Sequence, residues 1–268
     1  MEHMKEQSYY SRVIDIQVTC ATSFEGMYWS SQSLTQFADY SEPFIKGFQK
    51  WLEQKYGTVE ALQKAWGDNT ITTFYDYEDY DWSQWSEWVK QGYSEIERWR
   101  MVLPEWEDHI KDVRIRPLTY PEQVAYIEAS GNNGTFLNMS KGVEQQIQDS
   151  NDYLMETITD AYLYWGGIVD EVLEGEKLMS CYNGYLFAGA GAQDIPSQHT
   201  AFTRLLESGL YDMFVSPASY AERDLGTSDT FMGAQDTIQS YGKMAIIEED
   251  HRSSLNRPFG AAWDAGDD

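Results

Sequence analysis

Short apolar runs alternate along this chain with stretches whose apolar residues return every three to four positions, and few folds accept that rhythm. The runs lie at 13–21, 178–187, 211–215 and 244–247. They are too short for helices and nearly continuous in apolar or β-branched residues, which suits strands covered on both faces. The stretches between them have the helical period. Phe44, Phe48, Trp51, Leu52 and Tyr56 lead to Gly57, and Thr58 then caps a turn-length helix carrying Val59, Leu62 and Trp66 up to Gly67. A long amphipathic helix is expected over 142–173, through Val143, Ile147, Leu154, Ile158, Tyr162, Trp165, Ile168 and Val172. Shorter helices are expected near 198–208 and 233–241. Strand–helix–strand alternation predicts an α/β protein with a parallel sheet of four strands and right-handed crossovers.

Residues 68–135 break the rhythm. Tyr75, Tyr77, Tyr80 and Trp82 alternate there with Asp76, Glu78, Asp79 and Asp81. This reads either as a surface loop anchored by its rings or as a sugar-facing platform. Helices are expected to follow at 83–101 and 104–112. Without a low-complexity linker, the whole of 1–268 reads as one catalytic-type domain with an aromatic and acidic insertion at about 68–135.

Charge removes several functions. With 44 acidic and 19 basic residues the net charge is −25, which disfavours nucleic acid, anionic membrane surfaces and polyanionic substrates. Nineteen Tyr and ten Trp are many for this length; a core accounts for most of them, and an excess of rings also suits carbohydrate binding. Cys20 and Cys181 fall inside strands, where buried thiols are the rule. His3, His109, His199 and His251 are scattered, so neither a metal nor a cofactor is expected. Nothing approaches twenty consecutive apolar residues, and the polar start, Met1 to Glu6, does not read as a signal peptide.

The chemistry gathers at two strand exits. The run at 244–247 delivers Glu248, Glu249, Asp250, His251 and Arg252, and the C-terminal end of a parallel strand is where such folds carry catalytic groups. A solvated acidic loop is the alternative at that position. The first run leads to Glu25, beside Phe24, Tyr28 and Trp29. Rings next to a carboxyl desolvate it and raise its pKa, as a general acid requires. Two carboxyls flanking a scissile bond are the minimum equipment of a glycosidase.

The segment from Phe48 to Gly67, FQKWLEQKYGTVEALQKAWG, resembles one typical of the β-galactosidases of glycoside hydrolase family 42. The stretches from Tyr182 to Phe187, Asp212 to Tyr220, Phe231 to Gly233 and Gly242 to Arg252 look like successive strand-end motifs of the same group. The resemblance implies a (β/α)₈ TIM-type barrel and retaining hydrolysis of a terminal galactoside or related glycoside. It places Glu25 at the acid/base position after the fourth barrel strand, and Glu248 at the nucleophile position after the seventh. Glu249 is the one-residue alternative, and the pleat lets only one of the two face the barrel mouth. Many members of the clan carry Asn where this chain has Phe24, a departure at the sugar 2-hydroxyl contact. Substrate contacts are expected from Trp29, Tyr182, Tyr185, Ser216, Tyr220, Glu249 and Arg252, the last either gripping the nucleophile through its guanidinium fork or pairing with Asp250 at the surface. Relatives suggest a homo-oligomer. On this alignment the four strands are the fourth to seventh of eight, so an incomplete barrel is expected. A non-catalytic carbohydrate-binding protein, or an inactive fragment of the same fold, is the alternative function.

Overall fold

The computed structural model describes residues 2–19, 41–129, 142–184, 186, 199–217 and 231–248. In chain order its elements are α1 (Glu2–Lys5), β1 (Asp15–Val18), α2 (Glu42–Tyr56), α3 (Val59–Trp66), α4 (Ser83–Lys90), α5 (Glu95–Asp112), α6 (Tyr120–Ala129) and α7 (Gly142–Leu173). Then come β2 (Leu178–Tyr182), α8 (Thr203–Glu207), β3 (Met213–Pro217), α9 (Gln235–Ser240) and β4 (Met244–Glu248). They divide between two compact units, Met1–Leu34 with Leu154–Asp268 and Thr35–Tyr153.

The first unit is built on the sheet. All pairings are parallel, and the strand order is β1-β2-β3-β4. Neighbours in space are therefore neighbours in sequence, as in a sheet that curls in one direction rather than winding outward from its middle. The pleat sorts the side chains by face. Val18, Met179, Cys181 and Phe214 join Ile158, Tyr162 and Leu173 of α7, Leu205 and Leu206 of α8, and Ile238 of α9 in the main core. The opposite face carries a smaller cluster of Tyr182, Val215 and Met232, with Ile246 against it. Hydroxyls tie the helix to the sheet: Tyr162 donates to the Tyr182 carbonyl at 2.6 Å and Tyr211 to the Tyr162 carbonyl at 2.6 Å. The α/β class and the four parallel strands with flanking helices match the expectation from the sequence, each strand lying within its expected run or a few residues of it.

In the second unit, Phe48, Leu52, Leu62, Trp66, Ile71, Phe74 and Ile115 form the core, flanked by Trp51, Tyr56 and Tyr153. Gly67 closes α3 in the left-handed region (φ 66°), and Thr58 Oγ1 accepts from the Ala61 N–H at 3.2 Å. A correction falls on the helices after residue 82. They run over Ser83–Lys90 and Glu95–Asp112, not 83–101 and 104–112. Gly92 at φ 83° makes the break, and Ser94 with Glu97 forms a capping box that satisfies the first donors of α5. Pro104 lies inside that helix, where it removes one backbone donor without ending the run. Among the described residues, no helix is long and apolar enough to cross a membrane.

Candidate active site

The C-terminal ends of β2, β3 and β4 bring three of the sequence-predicted residues to one edge of the sheet. Glu248 is the last residue of β4 and lies in register with Pro217, as Ile247 does with Ser216. By the pleat, Glu248 shares its face with Ile246 and therefore with Val215 and Tyr182, away from the helix-packed side. It is half-buried. Tyr182 is 1% exposed, packed with Val215 and Met232. Ser216 is 3% exposed and sits between two glycines. A Cβ on Gly184 would collide with the Ser216 side chain, and one on Gly233 would come within 2.8 Å of its hydroxyl. Both positions thus need glycine for the strand exits to close on Ser216. Glu25, Trp29, Tyr185, Tyr220, Glu249 and Arg252 lie outside the described residues.

Asn183 belongs to this edge and was given no role in the sequence reading. Its N–H continues the β2 ladder to the Val215 carbonyl at 3.1 Å. Its side chain is 1% exposed, and its Oδ1 accepts no hydrogen bond among the described residues. A buried amide oxygen without a donor is costly in an ordinary core. An asparagine directly after a β-rich run was the available signal.

The other end of the sheet holds a second polar group. Ser180 Oγ donates to Asp15 Oδ2 at 2.6 Å, and the Met179 N–H donates to Asp212 at 3.0 Å. Burial pushes the Asp15 carboxyl above its ordinary range. Bonds from Ser180 and the Ile16 N–H pull back, and the charge of Asp212 adds to the rise. An acid raised in the folded state favours folding only while protonated, so the stability it contributes is lost as pH rises through its folded pKa. Asp15→Asn is therefore expected to raise Tm at neutral pH, the gain vanishing below about pH 4, near the unfolded carboxyl's pKa. The group is partly open to solvent, so screening limits the effect to under about 1 kcal/mol, or about 2–4 °C. Thermal melts at pH 7 and pH 3.5 check this; an equal shift at both would show that charge is not the cause.

Against known proteins, the family model described as β-galactosidase, of glycoside hydrolase family 42, matches residues 31–83. The family 42 resemblance holds over that segment. The match covers α2, α3 and the acid-aromatic stretch up to Ser83, and so includes the segment from Phe48 to Gly67 that carried the resemblance in sequence. Its rings build the second unit's core: Phe48 stacks on Trp51 and Trp66 at centroid distances of 6.0 and 6.5 Å. Neither Glu25 nor Glu248 falls inside the family 42 match. No solved structure matches the chain.

Proposed function

We propose that this chain is a retaining glycoside hydrolase of the β-galactosidase type, built on part of a (β/α)₈ barrel. The observation that carries the proposal is the placement of Glu248 at a parallel strand exit, on the face turned away from the helices. The family 42 match over 31–83 supports the substrate class. In a curled sheet that face is the barrel interior, and its C-terminal rim is where substrate is handled.

In this reading Glu25 protonates the leaving oxygen while Glu248 attacks the anomeric carbon. Glu25 then takes a proton from the water that releases the sugar. Two carboxyls working this way stand about 5–5.5 Å apart. Trp29, Tyr185, Tyr220, Glu249 and Arg252 line the sugar's path, the nearly buried Tyr182 and Ser216 support the rim beneath it, and the assembly is a homo-oligomer. Proton NMR of an aryl β-galactoside digest is expected to show the β-anomer of galactose first, with mutarotation following. An α-anomer first would exclude double displacement.

The non-catalytic alternative draws on one observation, that the family match contains neither carboxylate. Calorimetric binding of galactosides without turnover would select it.

A further inference from the structure

The acid-aromatic stretch and α4 enclose a cleft of about 250 Å³ in the second unit, lined in part by Tyr80, Asp81, Trp82, Trp85, Trp88 and Glu105. None of the residues of α4 is buried, so this helix is not held by a core of its own. Its two tryptophans, at i and i+3, fall on one side of the helix. The rings stand as walls rather than as a flat patch. Tyr80 and Trp82 meet at 4.9 Å between centroids with planes at 67°, and Trp82 and Trp85 at 6.1 Å and 86°. Trp82 is 36% exposed. The Trp88 side chain makes no ring contact or hydrogen bond among the described residues.

The polar groups narrow the ligand. Tyr80 donates to Glu105 only at 3.4 Å, a weak bond that leaves that carboxylate most of its accepting capacity. Asp81 Oδ1 accepts from the Ser83 N–H at 2.9 Å, which fixes the carboxylate at the rim. An apolar occupant would strip water from both acids without replacing it. An anion would meet their charge and the chain's net −25. A quaternary ammonium needs several open ring faces around it, and the Arg98 guanidinium already covers Trp85 at 4.8 Å. A neutral sugar satisfies every constraint. Its C–H faces lie against the electron-rich ring faces, and its hydroxyls donate to Asp81 and Glu105.

We propose that this cleft is a saccharide-binding site in its own right, taking one ring of a neutral sugar without cleaving it. The choice of galactosides as its ligands rests on the glycosidase reading above; the sugar class rests on the cleft itself.

Hydroxyl-radical footprinting of the full chain tests it, with thio-linked galactobiose, which a glycosidase does not cleave, and with cellobiose as a second probe. At a sugar concentration about three times Kd, about three-quarters of the sites are filled, so oxidation of Trp82 and Trp88 should slow about fourfold. Protection by both disaccharides keeps the site and broadens its ligand beyond galactosides. Unchanged oxidation of both tryptophans at saturating sugar overturns the proposal, whatever is protected elsewhere. Hydrolysis of an aryl galactoside, measured in parallel, reports on the glycosidase reading independently.

Discussion

Glu248→Ala is expected to lower hydrolysis of an aryl β-galactoside by on the order of 10⁵-fold, the scale on which loss of a catalytic nucleophile is felt. The expectation follows from position. Glu248 ends β4 in register with Pro217, and alternation along the pleat gives it the face of Ile246. On the proposed mechanism, removing the carboxylate would leave a cavity beside the anomeric carbon. Added azide is small enough to enter it and displaces the aglycone from the opposite side, so turnover returns in part as an α-galactosyl azide. Mass spectrometry and NMR identify that product. Full turnover in Glu248→Ala would remove this residue from the mechanism. If Glu249→Ala instead showed the loss and the azide rescue, the nucleophile would move by one residue and β4 would turn its other face to the substrate.

Asp149→Ala is expected to destabilise the second unit by about 3–5 kcal/mol, the cost of breaking a buried ion pair by removing one partner. Asp149 is fully buried. It accepts from Lys55 Nζ at 2.9 Å, Tyr56 Oη at 2.7 Å, Trp66 Nε1 at 2.7 Å and Gln145 Nε2 at 2.8 Å. Without it, a phenol and an indole N–H lose their acceptor together, and the Lys55 ammonium keeps only Asp152, at 3.1 Å. Against a total stability of about 5–15 kcal/mol, that is a large share, and it corresponds to a Tm lower by about 10 °C. Burial pulls the Lys55 pKa down, but Asp149 and then Asp152 outweigh it and hold the ammonium above its ordinary range. The sign follows from linkage: a cation raised on folding contributes fully below its unfolded pKa and loses that contribution as pH climbs through the folded one. Urea unfolding followed by tryptophan fluorescence should therefore show the full penalty at pH 7 and a smaller one above about pH 11, beyond the ordinary lysine pKa. A variant within about 1 kcal/mol of the parent at pH 7, the value of an exposed pair, would mean that Asp149 is spare.

The elements legible in the sequence were those specified by near neighbours. The apolar period fixed α7 from Gly142 to Leu173, while Gly57, Thr58 and Gly67 marked the ends of α2 and α3 because each acts within its own turn. The same kind of signal was present and missed before α6. Thr119 and Glu122 form a reciprocal cap there, with the Thr119 N–H donating to Glu122 at 2.7 Å and the Glu122 N–H to Thr119 Oγ1 at 3.3 Å. Arg116 adds a two-pronged grip on the same carboxylate. The Asp149 hub is of another kind. Its Lys55, Tyr56 and Trp66 partners are 83 to 94 residues away, and nothing local distinguishes this aspartate from the solvated acids of a strongly acidic chain. For the candidate catalytic edge, sequence placed Glu248 at a strand exit; which face it occupies depended on the register with β3.

Burial across the sheet has a consequence for molecules meeting in solution. β2 and β3 are dry, whereas β1 has a single buried residue and β4 none. Half-wet outer strands are the natural place for one molecule to template another. The charge of −25 opposes that meeting, and it acts only as far as the ionic atmosphere allows, about 10 Å in 0.1 M salt and about 3 Å at 1 M. The acidity that disfavours nucleic acid as a partner is thus also a colloidal barrier, thick in dilute buffer and thin in brine.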